Sequence, residues 1–397
     1  MQGRFRLQSC LLAALWLPVS VATAAPVDDA RERAISTFQL APEKRIPVNE
    51  QVVEGPWNPV PFDQDPYTYT FDEIRENWDH FMRGLRIPYP SPEWLKSRFE
   101  RFPALMRELG YKDRNWEMHS LNILEAWQAF LRGDLRKARD LGIRYGGYAE
   151  VPGVFAQLIY GVYLADSLNA KQMILQDAIN RILYYGKKFA YRPGEEEFHK
   201  DYVMMRLGLA YGFGRMTEDA RLTRALDSGW AIKTINAATE ALAVAPDHAL
   251  ALALNAAFDA NVIRRVGATA GRMAVGAKPI NAEQLFKRAL ELQDDMAILR
   301  YEYGNTLLYV DRENARQRAI EQLKKAAHME ASFAMEALDR LYAQKRLAEV
   351  RAWQETGMSF GRFDKQRRKY MWRNNVNLYN VLEKPYRSGM ENRVRPN

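Results

Sequence analysis

From about Trp116 onwards, apolar side chains recur every three or four residues, the period of an α-helix with one buried face. Leu121, Ile123, Leu124, Trp127, Phe130 and Leu131 place such a stripe on one helix, and Arg132, Gly133 and Asp134 then supply a turn. The phrase of helix, turn and helix repeats to about residue 360. Nowhere do valine and isoleucine alternate with polar residues long enough to predict a sheet, so the expected class is all-α. Residues 25–115 have a different pattern. Eleven of the eighteen prolines fall between residues 26 and 103, in runs such as GPWNPVPFDQDP and RIPYPSPEW. Proline fixes φ and removes a donor, so this part is expected to be an extended wrap holding short helices, predicted over 72–85 and 94–110. Its aromatics, Trp57, Phe62, Tyr67 and Trp78 among them, predict packing along the following helices rather than disorder.

A tetratricopeptide repeat (TPR) pairs two helices, with small residues where they cross and a proline near the last turn. Ala238, Ala241 and Pro246 have that spacing. Ala282, Phe286 and Ala289 repeat it with Asp294 in place of the proline, and Ala319, Leu323 and Ala326 give it again. On the preceding helices, Leu207-Gly208 with Tyr211 and Tyr303-Gly304 with Leu307 match the leucine-glycine-tyrosine pattern. Glycine inside a helix costs about 0.5–1 kcal/mol relative to alanine, so Gly208 and Gly304 predict close helix approach.

Residues 248–309 resemble a group of TPR-like proteins that includes the periplasmic T component of some TRAP transporters and the regulator-of-microtubule-dynamics proteins. In that group a long helix ends in glycine and a repeat helix with an alanine-aromatic-alanine spacing follows. Gly276, Pro279 and Phe286 stand in those places. Gly276 is suited to end a helix, and Asn281 with Gln284 predicts a capping box for the next. The resemblance implies a TPR-like fold and, as one possible role, a solute-binding accessory of a transporter.

Composition adds a compartment. Arg4 and Arg6, an apolar run over residues 11–21 and the small residues Ala22, Thr23 and Ala24 have the order of a cleavable secretory signal, predicting residues 1–24 as a signal peptide and a periplasmic protein. The run is about half the roughly 20 residues a membrane-spanning helix needs. Cleavage removes Cys10, the sole cysteine, and with it any disulfide, zinc-thiolate or cysteine-nucleophile chemistry. The net charge of +8 is concentrated at residues 361–397, where ten Lys or Arg face Asp364, Glu383 and Glu391. The body is near neutral, which argues against a nucleic-acid-binding core.

The chemistry-bearing residues are sparse. Five histidines occur, none three or four apart as helical metal ligands would be, and there is no phosphate-binding glycine loop or nucleophile elbow. No metal or cofactor is expected. YGFGR at 211–215 reads as a turn. Glu195, Glu196 and Glu197 suit a solvated helix start better than a sheltered catalytic acid. Tyr145, Tyr148, Tyr160, Tyr163, Tyr184 and Tyr185 are candidates to line a partner-binding groove, although repeat packing uses the same residue types. In the basic segment, Arg367, Arg368, Lys369 and Trp372 are candidates for an acidic partner or an anionic membrane surface, or for a capping helix.

The expectation is an all-α, TPR-like helical-repeat superhelix over residues 116–360, with an extended Pro-rich wrap before it and a basic segment at 361–397. Its expected role is a non-enzymatic periplasmic scaffold for a protein or peptide. The alternatives are a solute-binding accessory of a transporter, which a closed apolar channel through the array would favour, and a peptidoglycan-acting lytic enzyme.

Overall fold

The computed structural model describes residues 45–186 and 198–379. The expected signal at residues 1–24, the triplet Glu195, Glu196 and Glu197, and the end of the basic segment lie outside the described residues. Among the described residues the protein is all-α, with one isolated bridge between Ser167 and Val376. Among the described residues, no helix is long and apolar enough to cross a membrane.

The N-terminal part holds five short helices: α1 Glu50–Val53, α2 Phe71–Glu76, α3 Trp78–Phe81, α4 Pro92–Arg101 and α5 Pro103–Glu108. Each expected helix is thus split in two. Thr70 and Glu73 form a full capping box at the start of α2, but Asn77 leaves the helical path, its side chain donating to the Glu73 carbonyl. Pro103 separates α4 from α5 because it cannot continue the hydrogen-bond ladder of α4. The wrap shares its core with the rest of the molecule. Trp57 stacks on Tyr160 at 4.1 Å, Trp78 meets Trp127 edge-on at 5.8 Å, and buried Arg98 pairs with Asp201 at 2.5 Å.

The remaining chain forms five consecutive helix pairs, followed by two helices joined through their side chains. They are α6 Trp116–Arg132 with α7 Leu135–Tyr145, and α8 Glu150–Tyr163 with α9 Leu168–Gly186. Next come α10 His199–Asp219 with α12 Trp230–Val244, around the short α11 Leu222–Asp227, and α13 Ala249–Val266 with α15 Pro279–Leu292, around α14 Ala268–Val275. The fifth pair is α16 Ala297–Val310 with α17 Arg316–His328, and α18 Ala334–Glu355 and α19 Phe360–Asn374 follow. The small-residue motifs all lie on second helices, and Ala238, Ala282, Phe286, Ala289, Ala319 and Leu323 are fully buried.

Three local expectations need correction. Leu121 is 43% exposed, off the buried stripe of α6. YGFGR lies inside α10, because Gly212 lets Ile179 approach to 2.9 Å of where a Cβ would stand. Helix α15 starts at Pro279 with extended Lys278 as its cap, so Asn281 is already helical; proline at the first position has its φ preset and lacks the N–H that would need capping. Gly276 does end the preceding helix, at φ 68°.

Gly208 and Gly304 sit at close approaches of different stiffness. At Gly304 an added Cβ would stand 2.9 Å from the Leu323 branch carbon and 3.2 Å from the Ala319 carbonyl oxygen. At Gly208 it would meet the mobile Ile182 Cδ1 at 3.1 Å. Gly304→Ala should therefore destabilise by about 1–3 kcal/mol, whereas Gly208→Ala should be neutral or gain up to about 1 kcal/mol of helix propensity. Paired urea unfolding curves check this, and equal effects would contradict it.

The array closes on itself. Helix α18 packs against α6, and Gly133, at φ 93°, admits Ala334 so closely that a Cβ there would stand 2.8 Å from the alanine methyl. Tyr163 stacks on Tyr342 at 4.3 Å, and the Tyr342 hydroxyl donates to the Tyr163 carbonyl at 2.9 Å. Tyr69 of the wrap donates to the Ser332 carbonyl at 2.6 Å. Beyond α19 the chain turns at Asn375 and returns, and Asn377 donates to the carbonyls of Val162 and Ala165.

Candidate functional site

First helices of the five pairs, α6, α8, α10, α13 and α16, together with α18, turn side chains towards a common central cavity of about 180 Å³. Trp127, Phe155, Leu254, Phe258, Met296 and Phe333 form much of its wall. The wrap crosses it with residues 81–85, and at Gly84 an added Cβ would collide with the Met296 methyl. Arg83 fastens this crossing, pairing with Asp295 at 2.8 Å and with Glu336.

The ionisable groups of the lining are Arg83, Arg215, Glu218, Glu302, Glu336 and Asp339. Arg215 pairs with Glu218 at 2.9 Å and with Glu302, and donates to the Tyr379 hydroxyl at 3.1 Å. Glu218 also lies 3.6 Å from Arg264, which is bound to Asp364 of α19 at 2.6 Å. Fully buried Lys171 meets Asp219 at 2.5 Å behind this cluster. Burial opposes ionisation of Glu218, but Arg215, Arg264 and Lys171 hold its carboxyl down at about 2. Burial and the Glu218 charge push Glu302 up against the pull of Arg215. Burial likewise raises Glu336 despite Arg83.

Asp339 is the exception. It is 3% exposed, and among the described residues its hydrogen-bond donor is the Tyr163 hydroxyl at 2.8 Å, with no Arg or Lys paired to it. Burial pushes its carboxyl up to about 8. Tyr211 lines the same wall; its buried hydroxyl, pushed up to about 12 by burial, makes no well-formed hydrogen bond to its polar neighbours Tyr163 and Arg215.

No protein-family model, curated protein or solved structure matches this chain. What the cavity can do therefore follows from its own atoms. It is a partly open, mainly apolar cavity with a small polar floor, and among the described residues no cluster of three or more His, Cys, Asp or Glu could hold a metal ion.

The candidate tyrosines do not share one groove. Tyr163 lines the cavity. Tyr148 and Tyr160 are buried against Trp94 and Trp57 of the wrap. Tyr145 donates to Glu125 at 2.8 Å, Tyr185 is half-buried, and Tyr184 is 59% exposed. In the basic segment, Arg367 pairs with Glu349 at 2.9 Å, Arg368 with Asp364 at 3.0 Å, and the Trp372 indole N–H donates to the Asp219 carbonyl at 2.7 Å. Arg367 and Trp372 tie α19 to the body, whereas Arg368 pairs along α19 with Asp364, which in turn holds Arg264 of α13. The outward basic face is instead Arg362, Lys365, Lys369 and Arg373, spaced three and four apart.

Sequence reasoning missed Asp339, Arg215, Glu218 and Glu302. A signal existed for the first two: Met335, Asp339 and Tyr342, and likewise Gly208, Tyr211 and Arg215, put a charge on the apolar helical stripe itself.

Proposed function

We propose that this chain is a binding protein for a small, largely apolar molecule held inside the closed array, the role of a solute-binding accessory to a transporter in the periplasm. The observation that carries this reading is the closure of α18 on α6 around a cavity lined by apolar side chains. An open repeat array presents its concave face to a peptide or protein. Here that inner face is turned onto itself and crossed by the wrap, which favours a small occupant over the protein scaffold. A cavity of about 180 Å³ is close in size to the roughly 150 Å³ of an apolar cavity that takes up benzene. The alternation of inner and outer helices, with alanine motifs on the outer ones, supports the TPR-like reading of the fold.

Ala257, on the cavity wall, offers the test. Toluene or indole binding, followed by calorimetry and by the fluorescence of the wall residue Trp127, should be at least tenfold weaker in Ala257→Trp, whose ring fills the space. Isolation of a dominant protein partner that the variant still retains, with no apolar binding by the parent protein, would return the scaffold reading to first place.

A further inference from the structure

Four carboxyls but two guanidiniums line the cavity. Both guanidiniums are committed: Arg83 to Asp295 and Glu336, Arg215 to Glu218 and Glu302. Asp339 is left over, buried on the inner face of α18 with one oxygen bonded by the Tyr163 hydroxyl and the other without a hydrogen bond among the described residues. A buried carboxyl with no cation paired to it is costly to keep, and its bond from Tyr163 occupies only one of its two oxygens. Its neighbours from the packed elements are Tyr163 on α8, Tyr211 and Arg215 on α10, Glu302 on α16, Glu336 and Tyr342 on its own helix, and Arg83 at the wrap. Among these groups the arginines are already paired, so what the site lacks is a positive charge.

We infer that Asp339 is the anchor for the ammonium group of a small amine whose aryl or alkyl body fills the apolar cavity. This rests on the cavity-binding reading above and names its ligand class. The volume suits a body of about the size of a benzene ring with a short side chain. Tyr163 fixes the carboxylate by donating to one oxygen, leaving the other to accept from the ammonium. An ammonium entering beside Asp339 takes the place of the proton that burial keeps on this carboxyl near neutral pH, so a proton leaves as the amine binds. A carboxylate ligand would face the acidic excess and is selected against.

The test compares three probes of one shape: 2-phenylethylamine, 2-phenylethanol and 3-phenylpropionate. The parent protein should bind the amine at least tenfold more tightly than the alcohol, and the carboxylate least. Calorimetry at pH 7.5 in two buffers of different ionisation enthalpy should show proton release on amine binding, and this measurement needs no variant. In Asp339→Asn the amine preference and the proton release should both vanish while alcohol binding persists. Binding of the alcohol and amine with equal affinity, amine binding without proton release, or a preference that survives in Asp339→Asn overturns the assignment but leaves the apolar cavity reading intact. Failure of all three probes to bind overturns both.

Discussion

Replacing Arg215 by methionine should destabilise the protein by about 3–5 kcal/mol at pH 7.5, because the change leaves buried carboxylates without their shared cation. Arg215 is buried, pairs with Glu218 and Glu302, and reaches the Tyr379 hydroxyl, so one side chain joins α10, α16 and the returning C-terminal segment. Methionine keeps much of the volume, which isolates the electrostatic loss. Glu218 retains Arg264 at 3.6 Å, whereas Glu302 loses its partner. The two carboxyls then give opposite pH signatures. Glu302, already raised above its ordinary 4.5, should rise further; a carboxyl that holds its proton in the folded state lowers stability as pH rises from 4.5 through the folded value. The deficit of Arg215→Met should therefore shrink between pH 7.5 and pH 5. In the parent protein Glu218, held at about 2, contributes stability that is complete above 4.5 and is lost as pH falls through 4.5 towards 2. Urea unfolding at several pH values measures both trends. The double change Arg215→Met with Glu302→Gln should recover a substantial part of the loss, and no recovery would show that packing rather than charge dominates at this position.

Phe286→Ala should cost about 3–5 kcal/mol, the range for removing a fully buried aromatic ring from a packed core. Phe286 is 0% exposed on α15, stacked on Tyr303 of α16 at 5.5 Å and flanked on its own helix by Ala282 and Ala289. Because both alanines are fully buried, the neighbouring helices cannot collapse far into the space left behind. Leu121→Ala, on an exposed position of α6, should by contrast stay within about 0.5 kcal/mol. Thermal and urea denaturation of the pair provide the comparison. Similar losses in the two variants would mean that Phe286 is not a core anchor.

The all-α class and the small-residue contacts were readable from the chain because they are local: helical period, alanine spacing and glycine at close approaches are written within a few turns. The splitting of 72–85 and 94–110 into shorter helices was signalled by Asn77 and Pro103, but apolar periodicity runs through both breaks and hides them. The candidate site was harder to see. Asp339, Arg215 and Tyr163 are more than a hundred residues apart at the extremes, and they meet only because α18 reaches α6 and α8. Nothing in a periodic pattern reports that closure. The same limit explains the basic segment, where Arg367 looks like surface charge until Glu349 of α18 is found beneath it.

Closure also alters how the molecule comes into being. An open solenoid gains stability repeat by repeat, since each unit touches its neighbours alone, and folding can spread from any point along it. This chain joins Tyr69 to Ser332 and Tyr163 to Tyr342, contacts that require loops of well over a hundred residues to close. Early-made segments must wait for α18 before their inner faces are covered. Until α18 is available, the apolar wall that later forms the cavity is exposed to solvent, so an incomplete chain is an unshielded substrate for proteases and for aggregation rather than a smaller version of the finished protein.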